Sequence, residues 1–336
     1  MRLFQKLALA ALLSVIVLIF VGAVVRATGA GLGCPDWPTC WGRMIPPVAV
    51  EQVDFDKIDM ERFKRNAERH GGDPDKITVE SLRKEFNPVH VWTEYINRLT
   101  SLPVGLFTLL TLIGGYREWR AGRGTVFLAA IISFVLVLVN AWLGMKVVLS
   151  GLKPGVITLH MGLAMLLLCV LVFTSWRACE RPWGLSFKAD EQRRGAWIAI
   201  GILFFVTIVE GLMGSQVREM TDTLSKMHTD EPRSAWTEEL EGTWIYLVHR
   251  SFSWLVLASA VGFFVFAKRH LASGVQWLEK WILGLVLAQM VLGIILSYVG
   301  VLRVVQVLHI GLSSLLVSGL FLWLLGCLGA RRNVAS

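Results

Sequence analysis

Eight long apolar runs dominate this chain and restrict its fold more than any other feature. Each is about 20 residues long, enough for a helix to cross roughly 30 Å of hydrocarbon. Within lipid every backbone N–H and C=O group must be paired, so continuous apolar runs predict closed helices rather than strands. The sequence therefore predicts an all-α, polytopic membrane protein with spans at 5–25, 92–116, 124–149, 156–176, 194–217, 243–267, 277–300 and 304–327.

Positive charge on the short connections predicts the orientation of the chain. The basic residues that flank the spans all fall on one side, which the positive-inside rule assigns to the cytoplasm; they are Arg2, Lys6, Arg117, Arg120, Arg123, Arg177, Arg181, Lys188, Arg193, Arg194, Lys268, Arg269, Lys280, Arg331 and Arg332. Both termini are therefore predicted to be cytoplasmic in a bacterial inner membrane, with 26–91 and the acid-rich 218–242 outside. The net charge of +8 is largely this topology signal. No basic patch on a soluble face indicates a nucleic-acid partner.

Two cysteines follow the first span in the segment GLGCPDWPTCWG. In an oxidising compartment Cys34 and Cys40 are placed to form a disulfide. The pair is either a structural staple on a short loop or a redox-active dithiol. Metal binding is disfavoured, because no histidine lies nearby to complete a tetrahedral set.

The second half of the chain repeats the pattern of the first. LHMGL at His160 matches LHIGL at His309, TEYINRLTSL matches IYLVHRSFSW, and GAVVRATGA matches GSQVREMTD. These matches predict a tandem duplication of a four-helix unit. One bundle with its outer loop occupies 1–176 and the other occupies 194–327. The two copies have the same orientation, which makes a transporter the least favoured class.

Three histidines lie near the outer ends of predicted spans, where an ionisable group is costly and marks a functional position. His249 and His309 come from two spans of the second half, and inward histidines from two helices of a bundle can hold heme by bis-histidine ligation. The first half has His160, but Asn97 occupies the position of His249, and asparagine is a poor ligand for heme iron. The asymmetry predicts a fixed heme in the second half and a more open heme site in the first.

Charged residues flank these positions. Arg250 directly follows one histidine and either meets a heme propionate or extends to the membrane interface. Glu94 shares a helical face with Asn97; it is a proton donor, an electrostatic partner of a cationic intermediate, or the salt-bridge partner of Arg98. Glu210 is a further acid within a span and ranks lower, as a residue of a proton path.

Taken together, these motifs resemble the heme A synthase family over essentially the whole chain. The resemblance rests on VVRATGAGLGCPDWPTCWG in the first loop, on the segment from Glu94 to Arg98, on LH-x-G at His160 and His309, and on HR at His249. It implies an oxidoreductase that oxidises the C8 methyl group of heme O to a formyl group. Two successive hydroxylations would give a geminal diol that loses water, and the product would be heme A for cytochrome c oxidase.

The resemblance also implies a role for each site residue. The second half would bind heme b, with His249 and His309 as the axial ligands of its iron and with Arg250 nearby. In the first half, which would take the substrate heme O, the corresponding residues are His160 as an axial ligand, Asn97 and Arg98 beside it, and Glu94 as the acidic catalytic residue. Cys34 and Cys40 match a cysteine pair linked to heme transfer or electron flow.

Asn97 departs from the family pattern, which has the second histidine ligand of the substrate heme at this position. Either the substrate heme is five-coordinate through His160, or the chain is a non-catalytic b-type membrane cytochrome or heme-delivery factor. The region 51–87 is also longer than the family suggests and predicts a helical insertion with a turn at GGDPD. Trp37 and Trp41 either cap a porphyrin or anchor at the lipid headgroups.

The same resemblance implies a set of partners. These are membrane lipid, heme O synthase (the farnesyltransferase upstream), the machinery of cytochrome c oxidase assembly, and an electron donor that the sequence leaves unidentified. A homo-oligomer is compatible with this reading.

Overall fold

The computed structural model describes residues 3–69, 73–180, 182–228 and 235–329. Within these ranges the chain is all-α and has no β-strand beyond two isolated bridges. Eight of the described helices are long and apolar enough to cross a membrane, so the predicted fold class is confirmed. Arg2, Arg181, Arg331 and Arg332, which contribute to the predicted orientation, lie outside the described residues.

The helices are numbered α1 to α11 in chain order. Two short helices, α2 (Met60–Arg69) and α3 (Val79–Glu85), lie between the first and second spans, and α8 (Thr237–Glu241) lies between the fifth and sixth. The spanning helices are α1 (Leu3–Thr28), α4 (Pro88–Arg120), α5 (Gly124–Leu149), α6 (Val156–Arg177), α7 (Gln192–Met227), α9 (Trp244–His270), α10 (Trp277–Tyr298) and α11 (Arg303–Leu328).

Two spanning helices are longer than predicted. α4 begins earlier, at Pro88, because the Asn87 side chain accepts hydrogen bonds from the backbone N–H groups of Val89 and His90. This cap satisfies donors that a helix start leaves free, and proline fits the first helical position. α7 continues past its predicted end at 217 to Met227. The turns beyond residue 217 contain charged residues, among them Arg218, Glu219 and Asp222, so hydropathy alone does not detect them.

The spans pack as two sets of four helices. α1 packs against α4 and α6, and α5 packs against the same two helices. In the second set α7 packs against α9 and α11, and so does α10. Between the sets α1 contacts α11, α6 contacts α7, and α6 meets α11. Helices at equivalent positions of the predicted repeat therefore make reciprocal contacts.

Glycines lie where the two sets approach closely. A Cβ added to Gly311 on α11 would lie 2.2 Å from a ring carbon of Phe20 on α1, and a Cβ on Gly162 of α6 would lie 3.4 Å from Leu212 on α7. Helices in lipid associate through close packing at small residues rather than through a hydrophobic drive. These two glycines belong to the L-H-x-G motifs, so the motif brings the two sets together as well as carrying a histidine.

The connection between α1 and α4 forms a small outer subdomain (29–69 and 73–87). Cys34 and Cys40 form a disulfide and pack with Trp41 in an apolar core. Trp41 is 5% exposed, and the rings that contact it are Phe55, Phe63 and Phe86. It is therefore a core residue of the subdomain, neither a headgroup anchor nor a porphyrin cap, whereas Trp37 is 46% exposed.

The helical structure predicted within 51–87 is confirmed by α2 and α3. Of the predicted GGDPD turn, residues 71 and 72 lie outside the described ranges, and Pro74–Lys76 form a 3₁₀ turn.

Gly33 joins the outer subdomain to the start of α4, and a side chain there should disrupt the junction. A Cβ on Gly33 would lie 2.2 Å from the carbonyl oxygen of His90, which belongs to the backbone and cannot move aside. We expect Gly33→Ala to lower the free energy of unfolding by about 1–3 kcal/mol, measured by thermal unfolding in detergent. Gly105→Ala is the control, because a Cβ at Gly105 meets nothing within 4 Å. Equal stability of the two variants would contradict the prediction.

Candidate functional site

Four side chains occupy equivalent positions at one end of the bundles. Asn97, His160, His249 and His309 lie within the first three turns of α4, α6, α9 and α11. These are the second, fourth, sixth and eighth spans, which all begin on the same side of the membrane. The predicted ligand positions therefore share one level, and the topology predicts that this level is at the outer face.

Each of the four side chains faces a glycine on the spanning helix that precedes it. A Cβ added to Gly144 or Gly293 would lie 3.6 or 3.7 Å from Cε1 of His160 or His309, respectively. The other two sites follow the same rule: the distance is 3.8 Å between Gly22 and Oδ1 of Asn97, and 3.2 Å between Gly214 and Cε1 of His249. The absence of a side chain at these glycines makes room for an imidazole or amide between two helices.

The second set of helices encloses a cavity of about 420 Å³. His249 and His309 both line it, and apolar side chains make up most of the remaining wall. Cofactor pockets in proteins are about 300–1,000 Å³ and combine an apolar wall with a few polar groups. Met161 and Met165 of α6 also reach this cavity, so the first set of helices contributes to its lining.

The two histidines of this cavity differ in their surroundings. Nδ1 of His249 lies 3.1 Å from a carboxylate oxygen of Glu210 on α7, without the geometry of a hydrogen bond. Nδ1 of His309 is buried without a hydrogen-bond partner, and the Gln289 side chain donates a hydrogen bond to the His309 carbonyl oxygen at 2.9 Å. Buried polar atoms without partners are rare in proteins and concentrate at functional sites.

These features fit a heme held between α9 and α11. Two imidazoles from facing helices line one cavity, glycines make room for both rings, and buried nitrogens lack ordinary partners. The described residues contain no cluster of three or more histidine, cysteine, aspartate or glutamate side chains that could hold a bare metal ion. Two imidazoles on one apolar cavity are a donor set that would fit a heme.

In the first set of helices the corresponding polar groups are also buried. Nδ1 of His160 and the side-chain oxygens of Asn97 and Asn140 have no hydrogen-bond partner. Glu94 is 4% exposed, and it lies one turn before Asn97 on α4. The predicted acid and the amide on α4 are thus at the same level as the histidine on α6, and both helices pack against α1 and α5.

Arg98 connects this site to the disulfide loop. Its Nε donates to Glu94 at 3.2 Å, so the salt bridge considered for these two residues is present. Its Nη atoms donate to three loop carbonyl oxygens, those of Asp36 and Thr39 at 2.9 Å and that of Cys34 at 2.8 Å. The guanidinium is thereby committed to the loop and to Glu94 rather than directed at a ligand.

Arg250, at the equivalent position of the second half, has different neighbours. It is exposed, lies over the Tyr298 ring with 4.8 Å to the centroid, and donates a hydrogen bond to the Tyr298 hydroxyl. Both side chains line the cavity. Arg250 thus remains available to a group in the cavity, whereas Arg98 does not.

Glu219 is a buried acid that sequence reasoning missed. Its carboxylate accepts hydrogen bonds from the N–H groups of Gly155 and Thr158 at 3.1 and 3.0 Å and from the Thr158 hydroxyl at 2.9 Å. A carboxylate at a helix start satisfies free N–H groups and complements the helix dipole. Glu219 on α7 therefore caps α6 two residues before His160. No local pattern indicates this contact, because its partners lie 61 and 64 positions away.

The disulfide is protected by its surroundings. Cys34 and Cys40 are 0% and 1% exposed, and the Arg98 guanidinium binds the loop that contains them. Of the two functions considered for this pair, burial favours the structural staple, because a dithiol that exchanges electrons with a partner needs an accessible sulfur.

Comparison with known proteins gives consistent results. A family model described as cytochrome oxidase assembly protein matches residues 5–321. A protein named Heme A synthase from Bacillus cereus (strain ATCC 14579) is 24% identical over 344 aligned residues, covering 99% of this chain and 95% of its own. The Heme A synthase of Bacillus mycoides (strain KBAB4) is 24% identical over 346 residues with the same coverage, and that of Bacillus anthracis (strain CDC 684) is 23% identical over 344.

Removal of the Arg98 guanidinium should expose the disulfide. Hydrogen bonds to a charged group contribute about 1.5–3 kcal/mol each, so Arg98→Gln should raise the rate of reduction of Cys34–Cys40 by dithiothreitol about tenfold or more. The rate is measured by trapping free thiols with a mass-tagged maleimide. Arg83→Gln is the control, since Arg83 lies in the same subdomain and stacks over Phe55 at 4.9 Å. Equal rates in the two variants would show that Arg98 does not close the loop.

Proposed function

The chain belongs to the family of cytochrome oxidase assembly proteins, and on this basis we propose that it is a heme A synthase. The reaction is the oxidation of the C8 methyl group of heme O. Two hydroxylations, each of which needs an external two-electron oxidant such as dioxygen with electrons from a donor, would convert the methyl group to a geminal diol, and loss of water would leave the formyl group of heme A. The observation that carries the proposal is the pairing of His249 and His309 on one cavity, at positions equivalent to Asn97 and His160.

We assign a different heme to each half of the chain. The second half, 194–327, holds heme b through His249 and His309, and this heme supplies one-electron redox chemistry when it is bound. The first half, 1–176, binds heme O as substrate through His160. Glycines opposite all four side chains support equivalent sites in both halves.

Asn97 distinguishes the substrate site from the cofactor site. An amide is a poor ligand for heme iron, so the side of the substrate opposite His160 stays open to a small molecule. The Asn97 side-chain oxygen is buried without a partner and is positioned to accept a hydrogen bond from such a molecule. A cofactor that stays bound needs no open coordination position on its iron. The histidine at position 249, which is equivalent to Asn97, agrees with this.

Glu94 is the proposed catalytic acid of the first half. Its burial removes water from around the carboxyl group, and the Arg98 contact at 3.2 Å fixes its orientation. A positioned carboxyl group can deliver or accept protons as the methyl group is oxidised and water is lost. Arg98 in this assignment is a positioning residue that acts through Glu94.

The surroundings proposed for the enzyme follow from its membrane fold. We infer a bacterial inner membrane with both termini cytoplasmic, which places the heme sites and the outer subdomain at the periplasmic face. Heme O synthase would supply the substrate within the same lipid phase, the product would pass to cytochrome c oxidase assembly, and a separate electron donor would serve heme b. A homo-oligomer would leave these assignments unchanged.

A second function, a non-catalytic b-type cytochrome or heme-delivery factor, is favoured by the single observation that Asn97 replaces a ligand. It requires the heme of the second half but no modified product. The two functions therefore differ in one measurable quantity, the amount of heme A.

The first test is chemical analysis of hemes extracted from cells that make heme O, with and without the protein. We expect heme A, or its hydroxylated intermediate, only with the protein. Glu94→Gln should lower heme A by about a hundredfold or more while heme b stays bound, because loss of a general acid or base costs about that factor. Unmodified heme O beside a protein that carries heme b would favour the second function.

The second test concerns coordination of the substrate. With heme O bound, the wild-type protein should show a high-spin, five-coordinate component beside low-spin heme b in its absorption and electron paramagnetic resonance spectra. Asn97→His should convert that component to low spin by supplying the second axial ligand. Asn97→Ala is the control and should leave it high spin. A wild-type substrate site that is already fully low spin would contradict an open position at Asn97.

A further inference from the structure

We infer that Glu210 is a positioning residue that raises the basicity of His249 and thereby lowers the reduction potential of the heme in the second half. The inference rests on the proposed function, because it assumes heme b between His249 and His309. It adds to that function a role for Glu210, which contacts the proposed iron ligand His249 and thereby changes the driving force for electron transfer.

The contact is close and shielded from water. Oε1 of Glu210 lies 3.1 Å from Nδ1 of His249, and the two side chains are 16% and 21% exposed. The other carboxylate oxygen, Oε2, is buried without a hydrogen-bond partner. Both residues line the same cavity. In such a setting the effective dielectric is low, so the carboxylate acts on the imidazole more strongly than it would in water.

Comparison of the two halves supports a specific pairing. The repeat matches GAVVR with GSQVR, so Glu210 corresponds to Leu18 on α1 just as His249 corresponds to Asn97. The half with a histidine on its second span thus has an acid beside it, and the half with an amide has leucine. The acid and the histidine occur together in the same half of the chain. This supports a role of the acid toward the histidine rather than in the packing of the bundle.

The chemistry of metal-bound imidazole explains the effect. A ligating histidine usually donates its other ring N–H to a carboxylate or carbonyl oxygen, which fixes its tautomer and increases its basicity. Oε1 of Glu210 lies 3.1 Å from Nδ1 of His249 without hydrogen-bond geometry, so its effect on the imidazole would act through charge, and Nε2 would remain as the ring nitrogen able to bind iron. A more basic imidazole stabilises ferric over ferrous iron, so the potential falls. The His309 ring interacts with the Gln289 backbone and, among the described residues, has no carboxylate at Nδ1, so the negative charge of Glu210 would distinguish His249 from His309.

The test is a redox titration of the purified protein with its heme bound. Glu210→Gln retains the size of the side chain and removes its negative charge, and we expect its midpoint potential to move to a more positive value. Glu210→Asp keeps a carboxylate and should move the potential less. Glu219→Gln is the matched control: it removes a buried carboxylate from the same helix, but one whose described partners are Gly155 and Thr158, and its potential should equal the wild-type value.

Each result has a defined meaning. An unchanged potential in Glu210→Gln, or an equal shift in Glu219→Gln, would overturn the inference and leave the proposed function intact. Heme loss in Glu210→Gln with retention in Glu210→Asp would support a required carboxylate at His249, whereas equal loss in both would overturn it. A wild-type protein without a bis-histidine heme would instead refute the heme b assignment of the proposed function.

Discussion

Close approach of helices at glycine is the constraint on which this structure depends. In lipid, helices gain no hydrophobic stabilisation by associating, so van der Waals contact between small residues carries much of the packing. Glycines lie within each set of four helices, opposite Asn97 and the three histidines. They also lie between the two sets, at Gly162 and Gly311. The glycines between the sets allow close helix contact, and those within the sets leave space for three imidazoles and the Asn97 amide.

One scaffold used twice allows two sites to share a geometry and differ in chemistry. The second half has an acid and two histidines around an apolar cavity, which suits a permanent redox group with a tuned potential. The first half has leucine, asparagine and one histidine at the matching positions, which suits a ligand that must enter, react and leave. Few side-chain differences separate the two, so the backbone can be preserved while function diverges.

Much of the fold and part of the site can be predicted from the sequence, and the division has a physical reason. The spans and their number are encoded locally, in runs of apolar residues, and so are the L-H-x-G motifs that place His160 and His309 near the starts of α6 and α11. Three other features are not encoded locally, because each depends on partners distant in sequence. They are the extension of α7, the burial of Trp41 and the cap that Glu219 places on α6. Glu219 accepts hydrogen bonds from backbone N–H groups, and Arg98 donates hydrogen bonds to backbone carbonyl oxygens. Such backbone groups occur along the whole chain, so the sequence does not indicate which of them a side chain contacts.

Arg98 shows what such a contact can do for function. Its position beside the predicted substrate site would allow contact with a ligand, yet its hydrogen bonds go to loop carbonyls and to Glu94. The disulfide closes the loop, the loop orders the guanidinium, and the guanidinium orients the acid. A covalent bond outside the membrane thus restricts the position of a carboxyl group within it. This chain of contacts explains why a loop with two cysteines belongs beside the first site, whereas Arg250 of the second half contacts Tyr298 and lines the cavity.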